Sequence, residues 1–255
     1  MNENNIRKEI ENKWYESKGF NRKHILNSSL FYSKERNYEA YRIAKSKLVN
    51  IFEKLKINSE CKILLAPCGV GDDIKYIRNV TNNNISGIDI ADNAIQIILT
   101  NKCIEDAIVG DIASMNYKNN KFDCVLSILF FHHVLNEGVS KYIFELKRVL
   151  KPGGALVILE PSSFYPIHWI SRIVLKIVGN ITGYVEGERP LNPLKLQKAL
   201  IDARFSKVEV FAASFSHHRF PIKVAKIFEK FINPLLCKMP LIKYFGWTVY
   251  LIAQK

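Results

Sequence analysis

The sequence has little that would staple it together or hold it in a membrane. Its most apolar stretch, Phe164 to Gly179, is broken by His168, Arg172 and Lys176, and it falls short of the roughly 20 residues a spanning helix needs. The opening residues, MNENNIRKEIENKW, lack the apolar centre of a secretory signal. Cysteines number only five (Cys61, Cys68, Cys103, Cys124 and Cys237), with no metal-like spacing. A disulfide framework or zinc site is therefore not expected, and a reduced, cytoplasmic chain is. Twelve glycines and nine prolines in 255 residues exclude collagen-like and low-complexity classes. Acidic residues are scarce too: 24 Asp+Glu face 37 Lys+Arg, a net charge of +13. The surplus is regional. Residues 1–160 hold 23 basic against 19 acidic side chains, whereas residues 161–255 hold 14 against 5. Such a field favours an anionic partner, whether nucleic acid, membrane surface or phosphorylated substrate.

What is present is a large apolar fraction, 48%, enough for a sizeable core. Residues 1–60 read as helical and polar, with scattered aromatics such as Tyr15, Phe20, Phe31 and Tyr32. From residue 61 the period changes. Short apolar runs at 61–67, 83–91, 106–112, 122–130 and 154–161 alternate with helical stretches near 72–80, 92–102 and 138–151. Strands alternating with helices of that length predict βαβ units and a mostly parallel sheet with helices on both faces. Lys151-Pro152-Gly153-Gly154 is a turn signal between a helix and the fifth strand. Beyond it come an insertion (162–190), a helix (193–203), a strand (206–215), a basic helical stretch (220–245) and a last strand (247–255). The two closing strands, joined by a long excursion, predict an antiparallel edge.

Chemistry concentrates at the ends of the predicted strands. Pro67-Cys68-Gly69-Val70-Gly71 makes a glycine-rich turn after the first strand, where the backbone can approach a ligand and a helix start offers N–H groups. Asp89 ends the second strand, placed to accept both ribose hydroxyls of a nucleoside. Asp111 ends the third, where a carboxylate can accept from an adenine amino group, and Ser127 lies at the end of the fourth. All four features fall on one edge of the sheet, the edge where open α/β folds bind ligands.

The ordered series ILLAPCGVGDD, GIDIADNAI, VGDIASM, FDCVLSILFFHHV and LKRVLKPGGALVILEP resembles the motifs of the class I S-adenosylmethionine-dependent methyltransferase superfamily, most closely its small-molecule type. The resemblance covers residues 61–161. It implies a Rossmann-like, mostly parallel seven-stranded sheet with an antiparallel edge strand and an N-terminal helical cap. It divides the chain into a cap (1–60), a cofactor-binding core (61–161), and a cap insertion with the closing strands (162–255). It implies S-adenosylmethionine as cofactor and no metal. Pro67, Cys68, Gly69 and Gly71 would line its methionine and ribose part, and Asp89 would take the ribose. Ile90 would lie against the adenine, Asp111 and Ile112 would hold the adenine edge, and Ser127 would face the methionine. The chain departs from the family pattern at Leu65, where an acid is usual, and at Pro67, where glycine is usual. A usual contributor to cofactor amino-group binding is thereby missing, with Asp72 or Asp73 as candidate replacements.

Methyl transfer from a sulfonium is an in-line displacement that chiefly needs alignment and exclusion of water. A base helps where the acceptor must lose a proton, and the candidates are His132, His133 and Glu160. His168, His217 and His218 lie in the less informative half, and Arg189 is a candidate for an anionic substrate group. In the basic stretch, Val224, Ile227, Phe228, Phe231 and Leu235 form one helical stripe. That stripe fits either a core-facing helix with a solvated basic side or an interfacial helix resting on anionic lipid. Residues 127–131 read Ser-Ile-Leu-Phe-Phe rather than the Asn/Asp-Pro-Pro-aromatic run of amino-methylating base enzymes, which disfavours nucleic acid. The expected partner is a small molecule, anionic or sugar- or lipid-linked, with peripheral membrane contact. The alternatives are a non-catalytic cofactor-binding subunit or an RNA methyltransferase.

Overall fold

The structure, a computed structural model, describes residues 8, 9, 12, 41–81, 84–102, 104, 106–166, 189–217, 220, 222–237, 239, 240 and 242–255. Seven strands form one sheet: β1 (Ile63–Leu65), β2 (Ile85–Asp89), β3 (Asp106–Val109), β4 (Phe122–Ile128), β5 (Leu150–Pro161), β6 (Lys207–Ser214) and β7 (Thr248–Gln254). Their order is β3-β2-β1-β4-β5-β7-β6. The pairs from β3 through β5 are parallel, and β7 runs antiparallel to both β5 and β6. The antiparallel element thus lies at the predicted end of the sheet. There β7 is the reversed strand, second from the outside, and β6 takes the outermost position.

Alternation along the strands sorts the core into two layers. Leu64, Val125, Leu156, Ile158 and Leu251 face one side, and Ile63, Leu65, Cys124, Leu126, Val157 and Leu159 face the other. Counting helices from the first one bounded by described residues, the second side is covered by α1 (Leu48–Leu55) through Leu48, Ile51 and Phe52. The short α2 (Arg78–Thr81) follows β1, and α3 (Asp92–Thr100) covers the same side through Ile95 and Ile98. The first side is covered by α4 (Ser140–Val149) and α5 (Pro193–Asp202). The start of α5 is set locally: the Asn192 side chain accepts from the N–H groups of Leu194 and Lys195, and Pro193 sits in the first turn. With helices on both faces, the central strands are buried throughout, and their sequences are accordingly apolar rather than alternating.

Between Leu150 and Ala155 the β4–β5 register jumps, and Lys151 to Gly154 bulge outward with Gly153 at φ 77°. The turn signal is therefore a bulge at the start of β5. The segment 163–190 leaves the end of β5 and returns at Leu191, whose N–H donates to Pro161 O, while Ser163 N–H donates to Leu191 O. At the other terminus, Lys8 pairs with Asp92 and Asn12 accepts from Asn93 N–H, which brings the N-terminal segment to the start of α3. Tyr15, Phe20, Phe31, Tyr32 and Cys103 lie outside the described residues.

The basic stretch contains α6 (Ile222–Ile227), a π-helical turn (Phe228–Ile232) and α7 (Asn233–Leu236). Here the core-facing reading of the stripe is corrected at three of its five positions, while Val224 and Phe228 are half-buried. Ile227, Phe231 and Leu235 are 53%, 63% and 66% exposed, while Ala225 and Asn233 are the buried positions. The polar Asn233 takes the inward site because its Oδ1 accepts from Phe215 N–H at the end of β6.

A polar clasp fixes the loop after β3. Arg148 donates to the carbonyls of Met115 and Tyr117 and to both oxygens of Glu145, and Glu145 accepts from Met115 N–H. The Arg148 hydrogen bond holds the Glu145 carboxyl below its ordinary pKa. Its stabilisation is therefore present above the unfolded-state pKa and is lost as pH falls through the folded value. Glu145→Gln should cost about 1 kcal/mol near neutral pH, a modest figure because the pair touches solvent. In urea titrations the difference from the native chain should vanish on acidification through that value.

Candidate functional site

The carboxyl ends of β1, β2 and β4 converge beside the first turn. Cys68 N–H donates to Ile88 O, which turns the chain after Pro67 back toward β2, and the Ala66–Pro67 peptide is cis. Gly69 and Gly71 follow with φ of 49° and 85°, a left-handed backbone that glycine adopts without Cβ strain. At Gly71 a Cβ would also lie 2.9 Å from Ile98 Cγ1. Asp89 is buried, and its two oxygens accept from Gly69 N–H (2.8 Å) and Ala91 N–H (3.0 Å). The acid thus ties the glycine turn to the end of β2.

Cys68 turns its side chain inward. Its Sγ fills the space a Cβ on Gly87 would occupy, 2.9 Å away. Burial, and then the Asp89 charge, raise the thiol well above its ordinary pKa, so it stays neutral and offers the site its backbone only. Asp111 accepts from Ala113 N–H and launches a single helical turn, Ile112–Ser114, with Ile112 buried. Ile90 is half-buried next to Asp89. Ser127 is fully buried and its hydroxyl finds no hydrogen-bond partner among the described residues. A buried hydroxyl of that kind is costly unless a bound group satisfies it. Leu65 belongs to the core, and Asp73, a candidate stand-in for the missing acid, is paired with Lys45.

Three catalytic candidates come together. The register places Ile128 opposite Leu159, so Glu160 lies beside the turn that follows β4. Its Oε1 accepts from the N–H groups of Phe130 (2.7 Å) and Phe131 (2.6 Å), and its Oε2 lies 2.7 Å from His132 Nδ1. Glu160 has no solvent exposure. Leu129 adopts φ 56° to make this turn, a strain of about 1–2 kcal/mol for a branched residue. With Nδ1–H donating to the carboxylate, the imidazole lone pair lies on Nε2, as tautomer logic requires. His133 is exposed and its ring lies 4.0 Å from that of His132. Glu160 thus reaches the site through His132. That link was missed in the sequence, where the two residues were separate candidates; the parallel β4–β5 register was the signal that could have joined them.

His217 is buried in an aromatic group, stacked on Tyr165 and edge-on to Trp247. Arg189 is exposed. His168 and His218 lie outside the described residues. Among the described residues no group of His, Cys, Asp or Glu is arranged to hold a metal ion. Because Gly71 combines a left-handed backbone with a tight contact, Gly71→Ala should lower stability by about 1–3 kcal/mol, measurable as a fall in Tm.

Residues 64–158 match a family model described as a methyltransferase domain. A sterol 24-C-methyltransferase of Debaryomyces hansenii is 31% identical over 143 residues, covering 52% of this chain and 37% of that protein. A phosphoethanolamine N-methyltransferase of Plasmodium falciparum is 27% identical over 124 residues, covering 47% and 46%. The chain thus spans less than half the length of these curated relatives. A magnesium protoporphyrin IX methyltransferase from Synechocystis PCC 6803, solved with bound SAH, superposes with a TM-score of 0.63 at 15% identity over 97% of this chain and 99% of that one. Residues 64–158 are therefore similar to a methyltransferase domain, and the chain as a whole shares the fold of a solved methyltransferase.

Proposed function

We propose that the chain transfers a methyl group from S-adenosylmethionine to a small-molecule acceptor, with His132 as the base where the acceptor must lose a proton. The observation that carries this reading is the convergence, at one sheet edge, of the glycine turn, Asp89, Asp111, the unpartnered Ser127 hydroxyl and the His132–Glu160 pair. The residues present fit the cofactor. The turn at Gly69 and Gly71 leaves no side chain between backbone and ligand, the Asp89 carboxylate can accept ribose hydroxyls, Asp111 can meet the adenine edge, and Ser127 lacks a partner. When bound, the cofactor supplies a methyl carbon on a sulfonium, a leaving group that needs no acid. The chain's own work is to hold donor and acceptor, exclude water and take up a proton at His132 Nε2. Glu160 is a positioning residue in this scheme: it fixes the ring and tautomer and stabilises the charged imidazole.

The acceptor belongs to the small, anionic or sugar- or lipid-linked molecules. Support comes from the basic C-terminal part and from relatives named for sterol and phosphoethanolamine. No described helix is long and apolar enough to cross a membrane, so a lipid-linked acceptor would be met at a surface. A second reading, a cofactor-binding chain without transfer, draws on Leu65 and on the pairing of Asp73 with Lys45.

Calorimetry with S-adenosylmethionine tests the first reading. Binding is expected, and its absence at millimolar cofactor would sink the proposal. Asp89→Ala should weaken binding at least about tenfold, since it removes an acceptor and frees two N–H groups in the turn. For a hydroxyl acceptor, His132→Ala should lower kcat by about 10²–10³ with cofactor affinity retained, and added imidazole should restore part of the rate. An acceptor turnover untouched by that substitution would remove His132 from the reaction and leave the cofactor site standing.

A further inference from the structure

The exposed stripe on α6, the π turn and α7 has the chemistry of a surface that rests on a charged bilayer. Ile227, Phe231 and Leu235 point to solvent, and Met239 and Phe245 continue the apolar exposure at 44% and 37%. Exposed apolar side chains grouped in this way, rather than scattered singly, mark an interaction surface. In an α-helix, positions four apart drift by about 40°. The wider π turn at Phe228–Ile232 sets the later residues back against that drift, which keeps the three on a narrow outward line while Ala225 and Asn233 share the inward side.

Charge completes the pattern. Lys223, Lys226 and Lys230 are exposed along the same helical segment, and the Lys230 ammonium lies 5.2 Å from the Phe231 ring centroid. The one acid between them, Glu229, is half-buried and already engaged. A cationic border around long apolar side chains suits the boundary between headgroups and acyl chains, where lysine stems follow the apolar body and the ammonium meets phosphate. Nucleic acid would satisfy the lysines and leave Ile227, Phe231 and Leu235 in water. The element is also held firmly in place: Asn233 Oδ1 accepts from Phe215 N–H, which ties the helix to the carboxyl end of β6, the edge that carries the candidate site.

We propose that the face formed by Ile227, Phe231 and Leu235 with Lys223, Lys226 and Lys230 docks the protein on anionic membrane surfaces. This surface works independently of methyl transfer and sits where an acceptor carried in the bilayer would reach the ligand edge of the sheet.

Vesicle flotation of the full chain, without cofactor, tests it. The protein should float with phosphatidylcholine vesicles that contain phosphatidylglycerol, remain behind with phosphatidylcholine alone, and be released as salt is raised. The double substitution Phe231→Ser, Leu235→Ser should lower the bound fraction at least about tenfold, and so should Lys226→Glu, Lys230→Glu. All four side chains are exposed, so both variants should keep the native Tm and circular dichroism. Absence of flotation with anionic vesicles overturns the proposal, as does flotation that neither variant weakens. A dimer in light scattering that Phe231→Ser dissolves, without vesicle binding, would make a second copy the occupant. Salt-dependent RNA binding without flotation would assign the lysines to nucleic acid. Either result overturns membrane docking. Because the assay reads binding without cofactor, a chain that floats and transfers no methyl group separates the two proposals.

Discussion

The candidate site depends on one buried carboxylate. Taking Glu160 out of water carries a desolvation cost of several kcal/mol unless donors replace its hydration. Phe130 N–H, Phe131 N–H and His132 Nδ1 supply those donors, and all three come from the turn that ends β4. The turn reaches them only by placing Leu129 in a left-handed conformation. Strain at Leu129, burial of Glu160 and the orientation of His132 are therefore one arrangement. Each makes sense only with the other two.

The opposite side of the site is built with backbone instead of charge. Asp89 ties the glycine turn to β2, and Gly87 yields room for the Cys68 thiol, so that this side chain goes inward. The loop after β3 is clasped from behind by Arg148 and Glu145. Lys45, from the helical residues preceding α1, closes on Asp73. The groups proposed to meet the ligand are thus held by a second set of contacts behind them, the condition for geometry that persists when a ligand arrives.

Much of this could be read in the residues. Strands β1 to β5 are short apolar runs bounded by turn chemistry, and their alternation with helices leaves few topologies open. The residues proposed for the cofactor share one edge of the sheet because every parallel strand delivers its last residue there. Less legible was whatever depends on register or on the direction of a face. Glu160 and His132 are far apart in the chain, and only the pairing of Ile128 with Leu159 brings them together. The stripe at Ile227, Phe231 and Leu235 has helical periodicity, but periodicity does not say which side meets the core. A polar residue, Asn233, decided that by bonding to β6. Position β7 beside β5 is likewise a matter of long-range pairing that no local signal encodes.

The excursion from Ser163 to Arg189 begins and ends at neighbouring points: Ser162 and Leu191 form a bridge, and Leu191 returns its N–H to Pro161. A segment whose two ends are already joined contributes nothing to the connectivity of the sheet. Doubling the length of such a segment costs only about 0.6 kcal/mol in closure entropy. Insertions, deletions and wholesale exchange between these joined ends are consequently cheap for the fold. Sequence change can therefore accumulate between the joined ends while the seven-stranded sheet stays as it is.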